Sequence, residues 1–384
     1  MRDATFADDT NNMLVESVYG FVNEHIKPIA AHIDKDNLFP KELWQEFGRQ
    51  GLLGVTAAEE YGGAGLGYLS HCIVMQAISY GSASVGLSYA AHSNLCINQI
   101  NLHATPKQKK HFLPKLISGD HVGALAISEA NSGSDALSLQ LEAKKTNGGY
   151  IINGSKMWIT NGPDADIIVT YARTDKSEKH NGITAFIISP ELKGLTRMPK
   201  LDKLGMRGSN TCELVFKNLF VPDENILGEV NNGIKVLMSG LNYERLILAA
   251  GPLGIMESAL DFVIPYIKER KQFGSAIGQF QLIQGKIADM YTAYQATRAY
   301  LHSMAVASDK GCISRKQAAS VILMAAENAT KVSLDAIQIY GGNGYTNEYE
   351  VSRLLRDAKL YEIGAGTSEI RRIIIGKDIF DDKS

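Results

Sequence analysis

The chain has 384 residues, 45% hydrophobic and 21% charged, with 39 Lys and Arg against 41 Asp and Glu for a formal net charge of −2. This length predicts two or three domains with a large core, and the near-neutral charge argues against a protein that wraps nucleic acid. The four cysteines, Cys72, Cys96, Cys212 and Cys312, form no C-x-x-C pair, so we expect neither a zinc site nor a redox dithiol. Apolar runs fall short of the ~20 residues that span a bilayer, so we expect no membrane span.

The first ten residues are acidic and show neither the apolar core of a signal peptide nor an Arg-rich transit pattern. The widely spaced cysteines indicate reduced, intracellular thiols. We therefore expect the bacterial cytoplasm, or the mitochondrial matrix in a eukaryote from which a leader has been removed.

Residues 1–120 predict an N-terminal all-α domain. Helical spacing covers 13–33, 68–80 and the apolar stretch 84–101, and Phe39-Pro40-Lys41-Glu42 is typical of a helix start, whereas the glycine-rich residues 61–67 predict a loop. His92 lies among small and apolar residues with no second metal ligand at i+4, so we expect a core or pocket-lining histidine.

Residues 121–232 predict a middle β domain, a barrel or sandwich. Short β-branched or alternating segments separated by Gly, Asn and Pro occur at 124–128, 137–143, 150–153, 167–172, 183–188 and 212–216. The loop after the first strand, residues 129–135, offers hydroxyls and backbone N–H groups to a phosphate or ring edge, although such loops are commonly plain turns. Trp158, one of two tryptophans, suits a stacking wall or a core anchor equally.

Residues 233–384 predict a C-terminal four-helix bundle, because long amphipathic segments at 234–268, 281–307 and 316–340 have short connections. A shorter helix, 349–359, precedes a further segment at 361–375. Within the latter, residues 364–369 indicate a loop entering a helix N-terminus, where free N–H groups can meet a polar ligand.

One carboxylate lies on an apolar stripe of the first of these helices. Glu244 shares a face with apolar and small residues spaced by three and four, namely Leu237, Leu241, Leu248, Gly251, Ile255 and Ala259. Burial raises the pKa of a carboxyl group unless a cation or hydrogen-bond donors compensate. Two interpretations follow from the stripe: a general base, or a carboxylate held in a structural ion pair.

The α, β, α order and five ordered motifs resemble the acyl-CoA dehydrogenase family over nearly the whole chain. The motifs are Ile127-Ser128-Glu129 with Gly133-Ser134-Asp135, Trp158-Ile159-Thr160, Arg270 to Gly274 with Gln281, Gln338-Ile339-Tyr340-Gly341-Gly342-Asn343-Gly344, and Arg356-Asp357-Ala358-Lys359. No G-x-G-x-x-G motif is present and none is required, because this family holds FAD between its β domain and its helices.

The resemblance implies an FAD site shared between subunits of a homotetramer, a dimer of dimers. The flavin would contact Leu125, Ala126, Ile127, Ser128, Gly133, Ser134, Trp158, Ile159 and Thr160. The pyrophosphate and adenosine would contact a neighbouring subunit's equivalents of Arg270, Gln272, Phe273, Gln281, Gln338, Gly341 and Gly342. We also assign to the cofactor site Thr367, Ser368 and Glu369.

The sequence departs from the family where its base usually stands. Most members carry a Y-E-G-T motif, but this chain has Gly364-Ala365-Gly366-Thr367, with alanine in place of the carboxylate. A minority subgroup carries its base on the helix where Glu244 lies, and the surrounding residues resemble that subgroup. The resemblance therefore implies that Glu244 is the catalytic base for a short branched acyl-CoA such as isovaleryl-CoA.

The substrate would be bound by residues from the same two segments and the β-domain loop. These are Ser134, Asn242, Tyr243, Arg245, Gly364, Ala365 and Gly366, and Arg245 has the alternative of a surface salt bridge. Electron-transferring flavoprotein is the implied electron acceptor. The alternatives are a dehydrogenase for straight or 2-methyl-branched chains, an oxidase that uses oxygen directly, and a catalytically silent member that binds nucleic acid or a protein partner.

Overall fold

The computed structural model describes residues 9–178, 181–189 and 191–381, and helices flank a central sheet in chain order. Most of the acidic start of the chain, which bears on the leader prediction, lies outside these residues. The N-terminal helices are α1 (Asp9–His25), α2 (Ala30–Asp36), α3 (Glu42–Arg49), α4 (Tyr68–Gly81), α5 (Ala83–Ala90), α6 (Gln99–His103) and α7 (Pro106–Ser118). The central strands are β1 (Gly123–Ala126), β2 (Glu142–Thr146), β3 (Gly149–Thr160), β4 (Ile167–Arg173), β5 (Ile183–Ile188), β6 (Leu195–Arg197), β7 (Thr211–Pro222) and β8 (Ile226–Leu227).

The C-terminal part begins with a very long helix. Its helices are α8 (Gly233–Glu269), α9 (Gln281–Asp309), α10 (Arg315–Tyr340), α11 (Glu350–Tyr361) and α12 (Ser368–Asp381), and a hairpin of β9 (Lys271–Gln272) and β10 (Ser275–Ala276) joins α8 to α9. Helix α10 begins at a capping box in which Ser314 and Gln317 satisfy each other's backbone N–H groups. The fold class predicted from the sequence is confirmed.

The sheet has two differently packed faces. Its strand order is β6-β7-β3-β2-β4-β5-β8, with β1 pairing β4 in parallel. Along β4 the odd-numbered residues, such as Val169 and Tyr171, join the core shared with the helices, whereas Ile168 and Ala172 join a separate core within the β domain. The period of two in a strand therefore presents Tyr171 to the helical side.

Helix α8 packs closely against α4 and α11 through glycines. A Cβ at Gly254 would overlap the Gln76 carbonyl oxygen and lie 2.7 Å from the Tyr80 nitrogen, and one at Gly251 would overlap the Tyr361 hydroxyl. By length and composition α8 is the one helix in the described part of the chain that qualifies as a candidate membrane span. However, 83% of its most apolar window is buried inside the protein, as in the core helix of a globular fold.

A π-helical segment, Ala91–Asn98, connects α5 to α6 without a break. His92 lies in it, fully buried: its Nδ1 accepts a hydrogen bond from the Gly123 N–H at 2.7 Å, and its Nε2 lies 2.9 Å from the Leu116 carbonyl oxygen. The interpretation of His92 as a satisfied core residue is therefore confirmed. At the end of the segment, Gln99 packs against Gly240 of α8, where a Cβ would collide with its amide.

One predicted element is wrong. Residues 137–143, predicted as a strand, contain a 3₁₀ turn at Ala136–Ser138, and strand β2 starts only at Glu142. The backbone groups there bond to side chains instead of a ladder: the Gln140 and Leu141 N–H groups donate to the Glu129 carboxylate, and Arg173 donates to the Leu137 and Leu139 carbonyls. In the final segment the predicted loop into a helix N-terminus at 364–369 is confirmed, since α12 begins at Ser368, and the helix runs on to Asp381.

Candidate active site

Glu244 lies in the fourth turn of α8. Its side chain keeps some accessible surface although protein atoms surround it closely, which is typical of a group at the bottom of a recess. No hydrogen bond or ion pair of its carboxylate occurs within the described residues. Burial raises the pKa of Glu244 to about 7, and the nearby charges of Arg245 and Arg371 oppose the rise.

A second buried carboxylate on α8 has different surroundings. Glu257 accepts hydrogen bonds from the Tyr19 hydroxyl at 2.6 Å and from the Gln76 amide at 2.8 Å. Donors of this kind hold a carboxylate in place and stabilise its charge. Glu257 therefore joins α1, α4 and α8 as a structural residue, whereas Glu244 is the carboxylate available to accept a proton.

The carboxylates nearest the 364–367 loop lack the features of a base. Although burial opposes the shift, hydrogen bonds from Lys359 and Thr330 lower the pKa of Glu362, whose carboxylate lies 2.7 Å from the Lys359 amine. Glu369 is exposed, and hydrogen bonds from its own N–H and from Thr367 lower its pKa. Both are ionised and engaged at neutral pH.

Three buried polar side chains lie near enough to Glu244 to interact with its charge, and they belong to three different elements. Tyr171 comes from β4, and its hydroxyl has no hydrogen-bond partner within the described part of the chain; burial and the charge of Glu244 raise its pKa. Arg245 is 7% exposed, so its burial does not fit the surface salt bridge considered above. Arg371, from the first turn of α12, is fully buried and donates from Nη2 to the Gly364 carbonyl oxygen at 2.7 Å.

The loop that replaces the usual base motif has a strained backbone. Ala365 has a φ of 56° and Gly366 a φ of 88°, both in the left-handed region. A Cβ at Gly364 would find only ordinary contacts, 3.5 Å or more from Leu360, so a side chain could begin at this position without a clash. The loop residues are half-buried.

The structure brings together the two segments assigned to the flavin edge. The Met157 N–H donates to the Ser128 carbonyl oxygen at 2.8 Å, which joins β3 to the chain leaving β1. The pairing of β3 with β7 is irregular between Lys156 and Ile159, and Trp158 there has a φ of 61°. This bulge holds the indole 52% exposed, as a flat apolar surface facing outward.

A buried ion pair supports that corner. The Lys156 amine, fully buried, lies 2.9 Å from the Glu129 carboxylate and also donates to the Ile127 carbonyl oxygen at 2.8 Å. Burial lowers the pKa of Lys156 to about 8, and Glu129 opposes the shift. Gly133 and Ser134 lie in the exposed loop that follows Glu129. Of the other residues assigned to the flavin, four are half-buried, namely Leu125, Ile127, Ser128 and Thr160. Two are core residues, Ala126 and Ile159.

The residues assigned to the pyrophosphate and adenosine lie on the outside of this single chain. Exposed positions include Phe273, 96% exposed at the tip of the β9–β10 hairpin, together with Arg270, Gln272, Gln281, Gln338, Gly341 and Gly342. At the start of α12, Thr367 is half-buried and Ser368 is buried with its hydroxyl unpaired within the described residues. The exposure of the residues assigned to the pyrophosphate and adenosine is consistent with a second subunit completing the site, which stays a prediction.

The remaining substrate candidates flank Glu244 along α8. The rings of Tyr243 and Tyr68 stack 4.3 Å apart and 8° from parallel, so Tyr243 is held against the N-terminal domain. Asn242 is half-buried. No group of His, Cys, Asp and Glu that could hold a metal ion is present in the described ranges.

Two residues near Glu244 were not found from the sequence. Tyr171 falls on an apolar strand as an ordinary β-former, and its neighbourhood to Glu244 depends on how α8 packs on the sheet. Arg371 stands beside Arg372 in a charged helix start, and only the fold buries one and exposes the other. The sequence contains one weak indication that Arg371 lies near the site, because Arg371 follows the 364–367 loop by a single helical turn.

Fold and site together present a recessed carboxylate on α8 and an exposed flat indole beside β1. Models of the acyl-CoA dehydrogenase N-terminal, middle and C-terminal domains match residues 8–120, 124–219 and 231–380. The chain belongs to the acyl-CoA dehydrogenase family.

Individual members of the family are similar to this chain over nearly its whole length. The chain is 60% identical to an isovaleryl-CoA dehydrogenase, mitochondrial, of Oryza sativa over 98% of this chain and 92% of the relative. It is 57% identical to a 2-methylacyl-CoA dehydrogenase, mitochondrial, of Solanum tuberosum over 97% of this chain and 91% of the relative. The solved structure of butyryl-CoA dehydrogenase from Megasphaera elsdenii matches with a TM-score of 0.95 at 36% identity, covering 98% of this chain and 100% of that one.

Proposed function

We propose that the protein is an FAD-dependent isovaleryl-CoA dehydrogenase that forms 3-methylcrotonyl-CoA, a step of leucine breakdown. The observation that carries the proposal is Glu244, a recessed carboxylate that has no partner within the described residues, in a chain that has Ala365 where most of the family has its base. The identity of about 60% to isovaleryl-CoA dehydrogenases supports the substrate.

The residues provide what removal of a thioester α-proton requires: a base in a dry site and donors on the thioester oxygen. Glu244 accepts the α-proton, and the raised pKa matches it to this task near neutral pH. The N–H of Ala365, in the half-buried loop with its left-handed backbone, is the proposed donor to the thioester oxygen. The absence of a side chain at Gly364 leaves room for the two methyl groups of the acyl chain.

The corner formed by β1 and β3 fits a flavin. The half-exposed Trp158 ring provides a stacking surface, and Leu125 to Ser128 provide the strand end for the ring edge. Members of the family depend on FAD, which accepts the hydride of the β-carbon when it is bound. Trp158 covers the ring and excludes water from it.

A panel of acyl-CoA thioesters tests the substrate. Under anaerobic conditions isovaleryl-CoA should bleach the flavin absorbance of the purified protein faster than butyryl-CoA or 2-methylbutyryl-CoA does. A protein that binds FAD but stays yellow with every short acyl-CoA would refute the proposed activity.

The substitution Glu244→Gln tests the base. It removes the proton acceptor while keeping the size of the side chain, so FAD and acyl-CoA binding should persist and flavin reduction should fall by at least about 10³-fold. Stopped-flow reduction measures the rate, and Glu16→Gln, at an exposed position of α1 outside the site, is the control. Unchanged reduction in Glu244→Gln would show that another carboxylate takes the proton.

A second candidate substrate is a 2-methyl-branched acyl-CoA, which the 57% identity to the 2-methylacyl-CoA dehydrogenase favours. One or two methylenes in an apolar pocket change specificity by only ~1–3 kcal/mol, so both substrates are within reach of one pocket. Relative kcat/KM for isovaleryl-CoA and 2-methylbutyryl-CoA decides between them.

The partners belong to the same proposal. The exposed apolar residues of the C-terminal helices, including Leu282 and Phe380, and the outward position of the adenosine residues support a homotetramer. Electron-transferring flavoprotein reoxidises the enzyme; faster reoxidation by oxygen would identify an oxidase instead. Relatives carry mitochondrial names, which supports the matrix as the compartment in a eukaryote.

A further inference from the structure

Arg371 is the largest fully buried side chain of the described residues. Of its guanidinium nitrogens, Nη2 donates to the Gly364 carbonyl oxygen at 2.7 Å, while Nε and Nη1 have no partner within the described part of the chain. A buried cation costs free energy unless an anion and acceptors compensate it. Its position inside the protein therefore requires an explanation.

Glu244 is the one carboxylate acting on Arg371 that has no ion pair of its own within the described residues. The acidic groups acting on Arg371 are Glu244, Glu327 and Glu362, of which the last two already form ion pairs with Arg372 and Lys359. The groups that act on Glu244 are Arg245 on the same helix, Arg371 from α12 and Tyr171 from β4. Arg371 is the only one of these that also bonds to the 364–366 loop.

We propose that Arg371 is a positioning residue that couples the base to the loop facing the thioester. One edge of its guanidinium fixes the Gly364 carbonyl, and its charge favours the ionised form of Glu244. A single side chain therefore sets both the position of the loop N–H that would bond the thioester oxygen and the fraction of Glu244 that can accept a proton. This inference rests on the proposed function and adds a residue to it. A planar guanidinium suits the role because its donors point along separate fixed directions.

The test compares three variants of the FAD-loaded enzyme. Arg371→Gln removes both the charge and the planar guanidinium with its fixed donors, whereas Arg371→Lys keeps the charge and loses the guanidinium. Lys377→Gln, which removes an exposed cation of the same helix, is the matched control. The measurement is the rate of anaerobic flavin reduction by isovaleryl-CoA between pH 5.5 and 9, with circular dichroism and flavin content as checks of folding.

In Arg371→Gln the midpoint of the pH profile should rise by about one pH unit or more, because a nearby cation lowers a carboxyl pKa by about that amount. In Arg371→Lys the midpoint should stay near that of the wild type, while the maximal rate falls roughly tenfold because the loop is held less firmly. Lys377→Gln should match the wild type in both.

Unchanged midpoint and rate in Arg371→Gln, with a wild type that bleaches, would overturn this inference and leave the proposed function standing. A wild type that no acyl-CoA bleaches would overturn the proposed function itself. If Arg371→Gln does not fold, Arg371→Lys decides: a wild-type profile contradicts the inference, and a retained midpoint with a reduced rate supports it.

Discussion

Glu244 and Glu257 stand on one helix, thirteen residues apart, and the difference between them is the number of donors each receives. Glu257 receives hydrogen bonds from Tyr19 and Gln76, whereas the carboxylate of Glu244 faces a recess. Two arginines near Glu244 offset part of the desolvation cost without forming a close ion pair with it. A carboxylate in this position keeps both protonation states accessible near neutral pH.

The raised pKa of Glu244 predicts a pH-dependent effect on stability. Its pKa of about 7 in the folded state lies above the value of an unfolded chain, so folding penalises the charged form as pH rises from about 4.5 to 7. Glu244→Gln should therefore raise the free energy of unfolding at pH 8 by up to about 3 kcal/mol, measured as a higher melting temperature, and change it little at pH 4.5.

Glu362→Gln is the control of opposite sign for this measurement. The pKa of Glu362 is lowered in the folded state, so its charge contributes stability above its unfolded pKa and that contribution is lost as pH falls. The variant should melt lower than the wild type at pH 8. Equal melting temperatures for wild type and Glu244→Gln at pH 8 would contradict the assigned pKa.

At the scale of elements, the contact of α8 with α4 depends on small residues. The absence of a side chain at Gly254 lets the two backbones approach, and the same helix carries Glu244, the proposed base. The placement of Glu244 relative to the N-terminal domain therefore depends on contacts that are made two to three turns further along α8.

Gly254→Ala tests this dependence. The new methyl group would meet the backbone of α4, which cannot move aside as a side chain would, so we expect a loss of about 1–3 kcal/mol in unfolding free energy. Gly20→Ala in α1 is the matched control, because nothing lies within 4 Å of its Cβ and alanine favours a helix by ~1 kcal/mol. Chemical denaturation measures both, and equal stability of the two variants would contradict the close packing.

The long helices were predictable because their periodicity is repeated over many turns: residues 234–268 and 281–307 match α8 and α9 to within two residues at each end. The segment 137–143 shows the limit of the same reasoning. Its apolar residues alternate as in a strand, but Glu129 and Arg173 satisfy its backbone groups, and such distant side-chain bonds leave no periodic signal.

The site was predictable to a similar extent. Glu244 stood out as a carboxylate on an apolar stripe, and the motifs around Trp158 are local in sequence. Tyr171 and Arg371 depend on contacts between elements far apart in the chain, and the sequence around each is ordinary for its element.

At the scale of the whole molecule, the predicted cofactor residues form two groups on different parts of the chain surface. One group lies around Trp158 in the β domain, and the other is exposed around the β9–β10 hairpin and the end of α10. Two exposed groups of residues that would each hold a different part of one ligand are expected when the ligand lies between two subunits.

Mixed oligomers test the shared site. Trp158→Ala and Arg270→Ala should each lose at least about tenfold in FAD retention or activity when expressed alone, because each damages every site. Co-expression should restore activity, since mixed oligomers contain some sites with both native halves. Flavin content and bleaching of the co-purified oligomer measure this, and the absence of recovery would indicate that one subunit holds the whole cofactor.

The π-helical segment Ala91–Asn98 has a consequence for how such chains can change length. A π turn accommodates about one more residue than an α turn, so loss of one residue within the segment would convert the wide turn into an α turn and leave the flanking helices in place. Gln99 would then keep its place beside Gly240, one turn before Glu244. Loss of one residue should therefore be tolerated better in this segment than in the regular turns of α5.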